Sequence, residues 1–377
     1  MKFLHTGDLH IGKTVNEFSM IEDQKYVLKQ IRKIAIKEEV DAVVIAGDVY
    51  DRPIPSTEAV ALLDDFLTLL LQAKIPVIMI SGNHDSGERV AFADRILEKQ
   101  GLYIAGGYQG KLKRVEISDK WGKVNFICMP FVKPAVATVE DMLANTPIDR
   151  ADRNVLITHY FVTGENGQSP EISDSESTVN VGGLLNVSSS LFSEYDYVAL
   201  GHIHKRQKIG GGQVWYAGAP LKYSFSEVNH IKSVNIVCLG EKGEITVEPR
   251  ELSFMHEMRV IKGKLDQLIS PDVVHLADYD DYIKAILMDE EELIDPIGTL
   301  RSVYPNIMQI EFNKNQKKNE EIYIPQMYAV KKTTGEMFAQ FYLLLQGKEM
   351  DEKRMRIVAD VEVALQKENT PSKEEMV

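Results

Sequence analysis

Apolar residues along this chain gather in short runs that stop abruptly at polar, chemically capable side chains. Pro76-Val-Ile-Met-Ile-Ser-Gly-Asn-His-Asp85 shows the pattern most plainly. The run from Val77 to Ile80 is short, β-branched in bias and bounded by Pro76 and Gly82, which predicts a buried strand. The residues after it then form a loop at the carboxyl end of a core strand, where open α/β sheets place their ligands. The arrangement recurs where Lys2 to Thr6 meets Gly7-Asp8-Leu9-His10 and where Ala42 to Ala46 meets Gly47-Asp48-Val49-Tyr50-Asp51-Arg52. It recurs again where Asn154 to Thr158 meets His159, and where Tyr197 to Leu200 meets Gly201-His202-Ile203-His204. No folding requirement explains why five strands each end in Asp, Asn or His.

Between these runs the period changes. Glu22 to Lys37 carries Tyr26, Val27, Ile31, Ile34 and Ala35 at helical spacing, Ser56 to Gln72 opens on a capping Ser-Thr-Glu and repeats it, and Glu88 to Lys99 predicts a third helix. Strand and helix alternating in this way predict a parallel sheet. Tyr103 to Met129 breaks into shorter strands, expected as hairpins on the far side of that sheet, and Thr138 to Asn145 is a short helix. Residues 161 to 183, with Ser173-Asp174-Ser175-Glu176-Ser177, are too long for an ordinary connection and read as a functional loop or a partly disordered one. Lys208 to Gly212, Val214 to Ala217, Ser233 to Leu239 and Ile245 to Leu252 predict a second sheet, antiparallel at least in part. The expected fold is α/β, a two-layered β-sandwich flanked by helices, over residues 1–254.

A small α+β domain is expected over 255–312, with strands at His256 to Ile261, Asp281 to Leu287 and Met308 to Phe312 and helices at Lys264 to Leu268 and Ile297 to Val303. Its acidic run, Asp289 to Glu292 with Asp295, reads as a solvated surface. Residues 313–334 have linker composition. Residues 335–368 predict two helices, one with Phe338, Phe341, Tyr342 and Leu345 on a stripe and one with Met355, Val358, Val361 and Leu365, before a disordered tail at 369–377.

Composition narrows the class of molecule. A chain of 377 residues, 44% hydrophobic, can bury a large core, and a net charge of -13 argues against uniform affinity for nucleic acid without excluding a local site. Two cysteines without CxxC spacing form no disulfide framework, so a reducing, cytoplasmic location is expected. Met1 leads straight into a strand with no signal-type segment, and no apolar stretch of about 18 residues suits a membrane.

The strand ends then set the chemistry. Asp8, His10, Asp48, Asn83, His159, His202 and His204 form a mixed N/O ligand set that suits Mn²⁺, Fe²⁺ or Zn²⁺, and is too large for one ion but about right for two, with Asp48 able to bridge. Two such ions suit in-line displacement at phosphorus, so phosphoester hydrolysis is the expected reaction. Each motif alone has a plainer origin: Asp8-x-His10 as a cap, His159 as a structural histidine, Gly82-Asn83-His84-Asp85 as a turn. Five together, each after a core strand, do not.

The order Asp8-x-His10, Gly47-Asp48-x-x-Asp51-Arg52, Gly82-Asn83-His84-Asp85, His159, Gly201-His202-x-His204 resembles the calcineurin-like metallophosphoesterase superfamily. The opening Phe3 to Gly12, Asp48 to Pro53 and Ala217-Gly-Ala-Pro220 are similar to its SbcD-type branch of bacterial nuclease subunits. That resemblance implies a double-strand 3′–5′ exonuclease and single-strand or hairpin endonuclease acting on DNA ends with two Mn²⁺. It also implies an SbcC-like ATPase partner and a homodimer within a heterotetramer, with residues 255–312 capping the DNA. By it, Asp8, His10, Asp48 and His204 hold one ion and Asp48, Asn83, His159 and His202 the other; His84 faces the scissile phosphate and Asp51 orients His84. Arg52 is a possible phosphate contact, as are Lys13, Arg89, Lys205 and Arg206 beside the metal motifs. The stripe of Phe338, Phe341, Tyr342 and Leu345 is expected to dock the partner. The alternatives are a phosphomonoesterase or protein phosphatase using the same site, against which Pro53 stands where those enzymes have glycine, and a non-catalytic scaffold.

Overall fold

A computed structural model describes residues 1–165, 167–176, 186–291 and 293–313, together with 338, 342, 350, 351 and 353–358. The chain divides into two compact units, Met1–Lys314 and Asn315–Val377.

The first unit is built on two six-stranded sheets. In one, Lys2–Thr6, Ala42–Ala46, Val77–Ile80 and Leu102–Ala105 run parallel in that order. In the other, Gly122–Met129, Arg153–Thr158, Tyr197–Leu200 and Val214–Tyr216 do the same. Antiparallel strands close the edges: Lys113–Asp119 and Gln207–Ile209 on the second sheet, Ser233–Leu239 and Ile245–Glu251 on the first. Those last two differ from expectation. Ser233–Leu239 returns to pair with the amino-terminal strand and Ile245–Glu251 pairs with it at the edge, instead of extending the second sheet, whose centre is parallel.

Strand parity explains why the core runs are apolar throughout rather than alternating, because both faces are covered. Phe3, Val44 and Ile78 point inward with Phe126, Val155, Ile157 and Tyr197 of the facing sheet, and Phe3 meets Phe126 and Tyr197 edge-on at 5.4 and 5.7 Å. Leu4, Val43, Ile45 and Met79 point outward, under Val27 and Ile31 of the helix Ile21–Lys37 and Leu63, Phe66 and Leu70 of the helix Thr57–Gln72. Ser56 caps that second helix, its hydroxyl accepting from the Ala59 N–H at 3.2 Å, as the sequence predicts.

The third helix is broken. Two single turns, Gly87–Val90 and Asp94–Leu97, flank Ala93 at φ 60°, and a 3₁₀ turn, Glu98–Gln100, comes next. Phe92 and Ile96 are 80% and 71% exposed, so no continuous apolar stripe holds a single helix against the sheet.

Beyond Leu252 the strands Met258–Gly263, Tyr282–Leu287 and Ile307–Phe312 form a wholly parallel three-stranded sheet, with short helices at Leu265–Leu268, Pro271–Val274 and Pro296–Arg301. Asp289 and Asp295 of the acidic run do more than face solvent: they accept the N–H groups of Leu265 and Gly298 at 2.9 and 3.0 Å, at two helix starts. Buried Asp23, on the first long helix, accepts from His256 Nδ1 at 3.0 Å and from the Tyr282 hydroxyl at 2.7 Å, which fixes this sheet to the sandwich. In the Asn315–Val377 unit, Phe338 and Tyr342 are helical and the Arg354 guanidinium lies 5.8 Å from the Tyr342 ring. Phe341, Leu345, Val361 and Leu365, the linker beyond Asn313 and the tail lie outside the described residues. Among the described residues no helix is long and apolar enough to cross a membrane.

Candidate metal centre

All seven expected ligands come together at one end of the sandwich, because the parallel strands of both sheets end there. The chain must leave each strand sharply. Asp8, His10, Asp48 and His202 therefore sit at φ 52°, 44°, 47° and 96°, a region that costs side chains about 1–3 kcal/mol and persists where the surroundings enforce it. Two glycines make the convergence possible. A Cβ on Gly82 would stand 2.1 Å from Asp48 Oδ1, and one on Gly201 would stand 2.0 Å from the Ala46 carbonyl oxygen.

The donors then crowd one another. His10 Nε2 lies 3.2 Å from His204 Nε2, and Asp48 Oδ2 is 3.6 Å from His10 Nε2 and 3.2 Å from His159 Nε2. Asn83 Oδ1 is 3.0 Å from both His159 Nε2 and His202 Nδ1. His159 Nδ1 donates to the Ala46 carbonyl at 2.7 Å, turning Nε2 inward. Among the described residues three groups place their ligand atoms within 4.8 Å of one another: Asp8, His10 and His204; Asp8, Asp48 and His159; and His10, Asp48 and His84. Asp8, His10 and Asp48 thus each belong to two of the groups.

One atom tests the fit to a cation. Asp8 is wholly buried, its Oδ1 accepts the His202 N–H at 2.7 Å, and its Oδ2 has no hydrogen-bond partner. A buried unpaired carboxylate oxygen is costly unless something positive meets it. Burial accordingly raises the Asp8 carboxyl to about 6 against the pull of His159 and His204. Burial holds His202 down at about 3. His159 goes the other way: burial opposes its charge, but Asp48 outweighs it and pushes the imidazole up to about 9, while Asp48 itself is held well below the usual carboxylate range.

His84 stands half-exposed at the rim, its N–H donating to Asp48 Oδ1 at 2.9 Å and its ring edge-on to His10 at 4.8 Å. Asp51 meets it differently from expectation. The Asp51 main-chain carbonyl, not its carboxylate, lies 3.0 Å from His84 Nδ1. The carboxylate takes Lys13 Nζ at 2.7 Å and faces His10 Nδ1 at 3.6 Å.

The basic candidates are distributed unevenly. Lys13 is held by Asp51 and lies over the Tyr223 ring, and Lys205 pairs with Glu171. Arg206 donates to Asn235 at 2.5 Å and stacks on Trp215 at 4.6 Å, so it serves the sandwich and is not a free cation at the site. Arg52 and Arg89 are exposed. Sequence reasoning gave no role to Asp85, whose carboxylate accepts from Val49, Tyr50 and Gly82 N–H at 3.0, 2.9 and 2.8 Å and ties two ligand loops together. Gln24 is similar: it donates to the His10 carbonyl at 2.7 Å and accepts from the Gly12 N–H at 2.9 Å.

Residues 1–206 match the calcineurin-like phosphoesterase family, and residues 255–344 match the Type 5 capsule protein repressor C-terminal domain. The SbcD subunit of the SbcCD nuclease from Staphylococcus epidermidis is 33% identical over 327 residues, which cover 82% of this chain and 85% of that protein. Among solved structures, a dimetal phosphatase from Danio rerio is similar at 12% identity and a TM-score of 0.40, over 67% of this chain and 96% of that one. The protein TT1561 of Thermus thermophilus is similar at 11% identity and a TM-score of 0.37, over 66% and 98%. Its sequence match over the first 206 residues and its identity to the staphylococcal subunit show that the chain belongs to the calcineurin-like phosphoesterases and, within them, to the SbcD family of SbcCD nuclease subunits.

Proposed function

We propose that the protein is a metal-dependent deoxyribonuclease that hydrolyses phosphodiester bonds as the nuclease subunit of an SbcCD-type complex. The observation that carries this is the gathering of seven N and O donors at one end of the sandwich, with the Oδ2 of buried Asp8 left unpaired among them, in a chain 33% identical to a protein named as that subunit. Asp8, His10, Asp48 and His204 would hold one divalent cation and Asp48, Asn83, His159 and His202 a second, and a mixed imidazole and carboxylate set favours Mn²⁺ over Mg²⁺. Bound ions there supply an activated water and neutralise charge at the phosphorus.

The remaining work falls to the chain. With Nδ1–H donating to the Asp51 carbonyl, His84 has Nε2 as its other ring nitrogen, which would give a proton to the leaving oxygen from the doubly protonated imidazolium. Asp85 keeps the Asp48 and Asn83 loops in register through its three accepted N–H groups. DNA ends and hairpins are the substrates, cleaved 3′ to 5′ on duplex, an SbcC-like ATPase is the partner, two copies of this chain pair within the heterotetramer, and the complex works in the cytoplasm.

The test is cleavage of an end-labelled hairpin duplex by the purified chain with Mn²⁺, with and without the ATPase, beside an aryl phosphate monoester. Hairpin opening and end degradation support the proposal; turnover of the monoester alone identifies a phosphomonoesterase instead.

A further inference from the structure

The stretch Ser173 to Glu176 lies against His204. Glu176 Oε1 accepts the His204 main-chain N–H at 2.7 Å, Ser175 Oγ stands 2.7 Å from His204 Nδ1, and the Asp174 N–H donates to Ser226 Oγ at 3.0 Å. Behind Ser175, the fully buried Glu227 carboxylate accepts the Ser175 hydroxyl through Oε1 and the Lys232 ammonium through Oε2. Lys232 also donates to the His204 carbonyl at 2.9 Å. Glu227 Oε1 is itself 3.6 Å from His204 Nδ1, too far for a hydrogen bond, so Ser175 is the link between them.

Donor accounting gives the link a direction. An ionised carboxylate only accepts, so Ser175 gives its one hydroxyl proton to Glu227 and its oxygen is left to accept from His204 Nδ1–H. The lone pair of the imidazole is then on Nε2, the atom 3.2 Å from His10 Nε2 in the group formed with Asp8. A ligating histidine needs this: its second nitrogen bonded away, its ring orientation fixed and its basicity raised.

We infer that Ser175 is a positioning residue for the ion held through His204, carrying the influence of buried Glu227 to the imidazole while Glu176 clamps the main chain. The inference rests on the two-ion reading above. Half-buried Ser175 also lines an open cleft with Asn16, Tyr223 and Ser226, so its exchange does not open the core.

The test is titration of the full-length metal-free protein with Mn²⁺, free ion being followed by electron paramagnetic resonance. Wild type should show two classes of site and His204→Ala should lose one. Ser175→Ala should weaken that same class about 10- to 100-fold and spare the other, while Ser175→Thr, which keeps the hydroxyl, should bind within a few-fold of wild type. Nitrogen-15 spectra of histidine-labelled, metal-free wild type should show His204 protonated at Nδ1. Unchanged binding by Ser175→Ala, equal weakening by Ser175→Thr, or His204 protonated at Nε2 overturns the inference. A wild type that binds no Mn²⁺ overturns the two-ion reading together with it, which the His204→Ala comparison separates from failure of Ser175 alone.

Discussion

Under the proposed function, His84 is the residue at which holding the ions and turning over substrate separate. It contributes a main-chain N–H to Asp48 and presents its ring at the rim, whereas Asp48, Asn83 and the other five donors converge without it. His84→Ala should therefore keep its metal content and lose about 10²- to 10⁴-fold in turnover, the usual worth of a general acid. Metal analysis beside initial rates checks this; a parallel fall in both would count His84 among the ligands, through its group with His10 and Asp48. The shifted ligands make a second prediction. His159, raised to about 9, carries a proton in the metal-free protein at pH 7, and Asp8, raised to about 6, gains one below that value. Ligands must shed such protons to bind, so calorimetry in buffers of different ionisation heat should show about one proton released per protein at pH 7 and more as pH falls through 6, with affinity falling in step. Proton release that stays flat from pH 5 to 8 would contradict it. At this scale the gathering of the seven donors was legible because each takes part through its own side chain. Asp85 and Gln24 were not, and Asp51 was only half legible, because they act on or through main-chain N–H and C=O groups, which a sequence does not display.

Among the elements, the five strands that carry ligands were legible because a run covered on both faces has no competing period. Val77–Ile80, Ala42–Ala46 and Lys2–Thr6 begin and end where the apolar runs do. The broken helix between Gly87 and Gln100 was not, since Glu88 to Lys99 has helical composition, and its break depends on packing. Gly87 is so close to Gly106 that an added Cβ would meet the Gly106 carbonyl oxygen at 1.7 Å. Nor does a strand's own composition say which sheet it joins, so Ser233–Leu239 was misplaced. The strand-end glycines give a prediction at this scale. Gly201 lies outside the left-handed region, but an alanine methyl there would collide at 2.0 Å with the Ala46 carbonyl and at 2.8 Å with His159 Nδ1, neither of which is the end of a flexible chain. Gly201→Ala should push the two sheets' ligand loops apart, cutting Mn²⁺ affinity by more than about 10-fold and lowering stability by about 1–3 kcal/mol, as overpacking does. Denaturant unfolding and metal titration check it; a variant that binds Mn²⁺ like wild type would show that the loops have slack.

At the scale of the whole molecule, the proposed function puts catalysis and assembly on different stretches of chain. All seven donors, His84 and the three-stranded sheet lie within Met1–Lys314, whose cores close on themselves. Of the described residues of the unit Asn315–Val377, Phe338, Met355 and Ile357 are 48%, 52% and 55% exposed. Short helices are marginal in water on their own, and an apolar stripe on a tethered helix suits the groove of another chain. Truncation after Lys314 should leave Mn²⁺-dependent cleavage of single-stranded DNA within a few-fold of the full chain, because no ligand is lost. The same truncation should abolish co-purification with an SbcC-like ATPase and any stimulation by ATP. Retained ATPase binding at unchanged affinity would place the docking surface on the first unit and leave these helices a structural role, whereas loss of single-strand cleavage would mean that the second unit supports the metal centre.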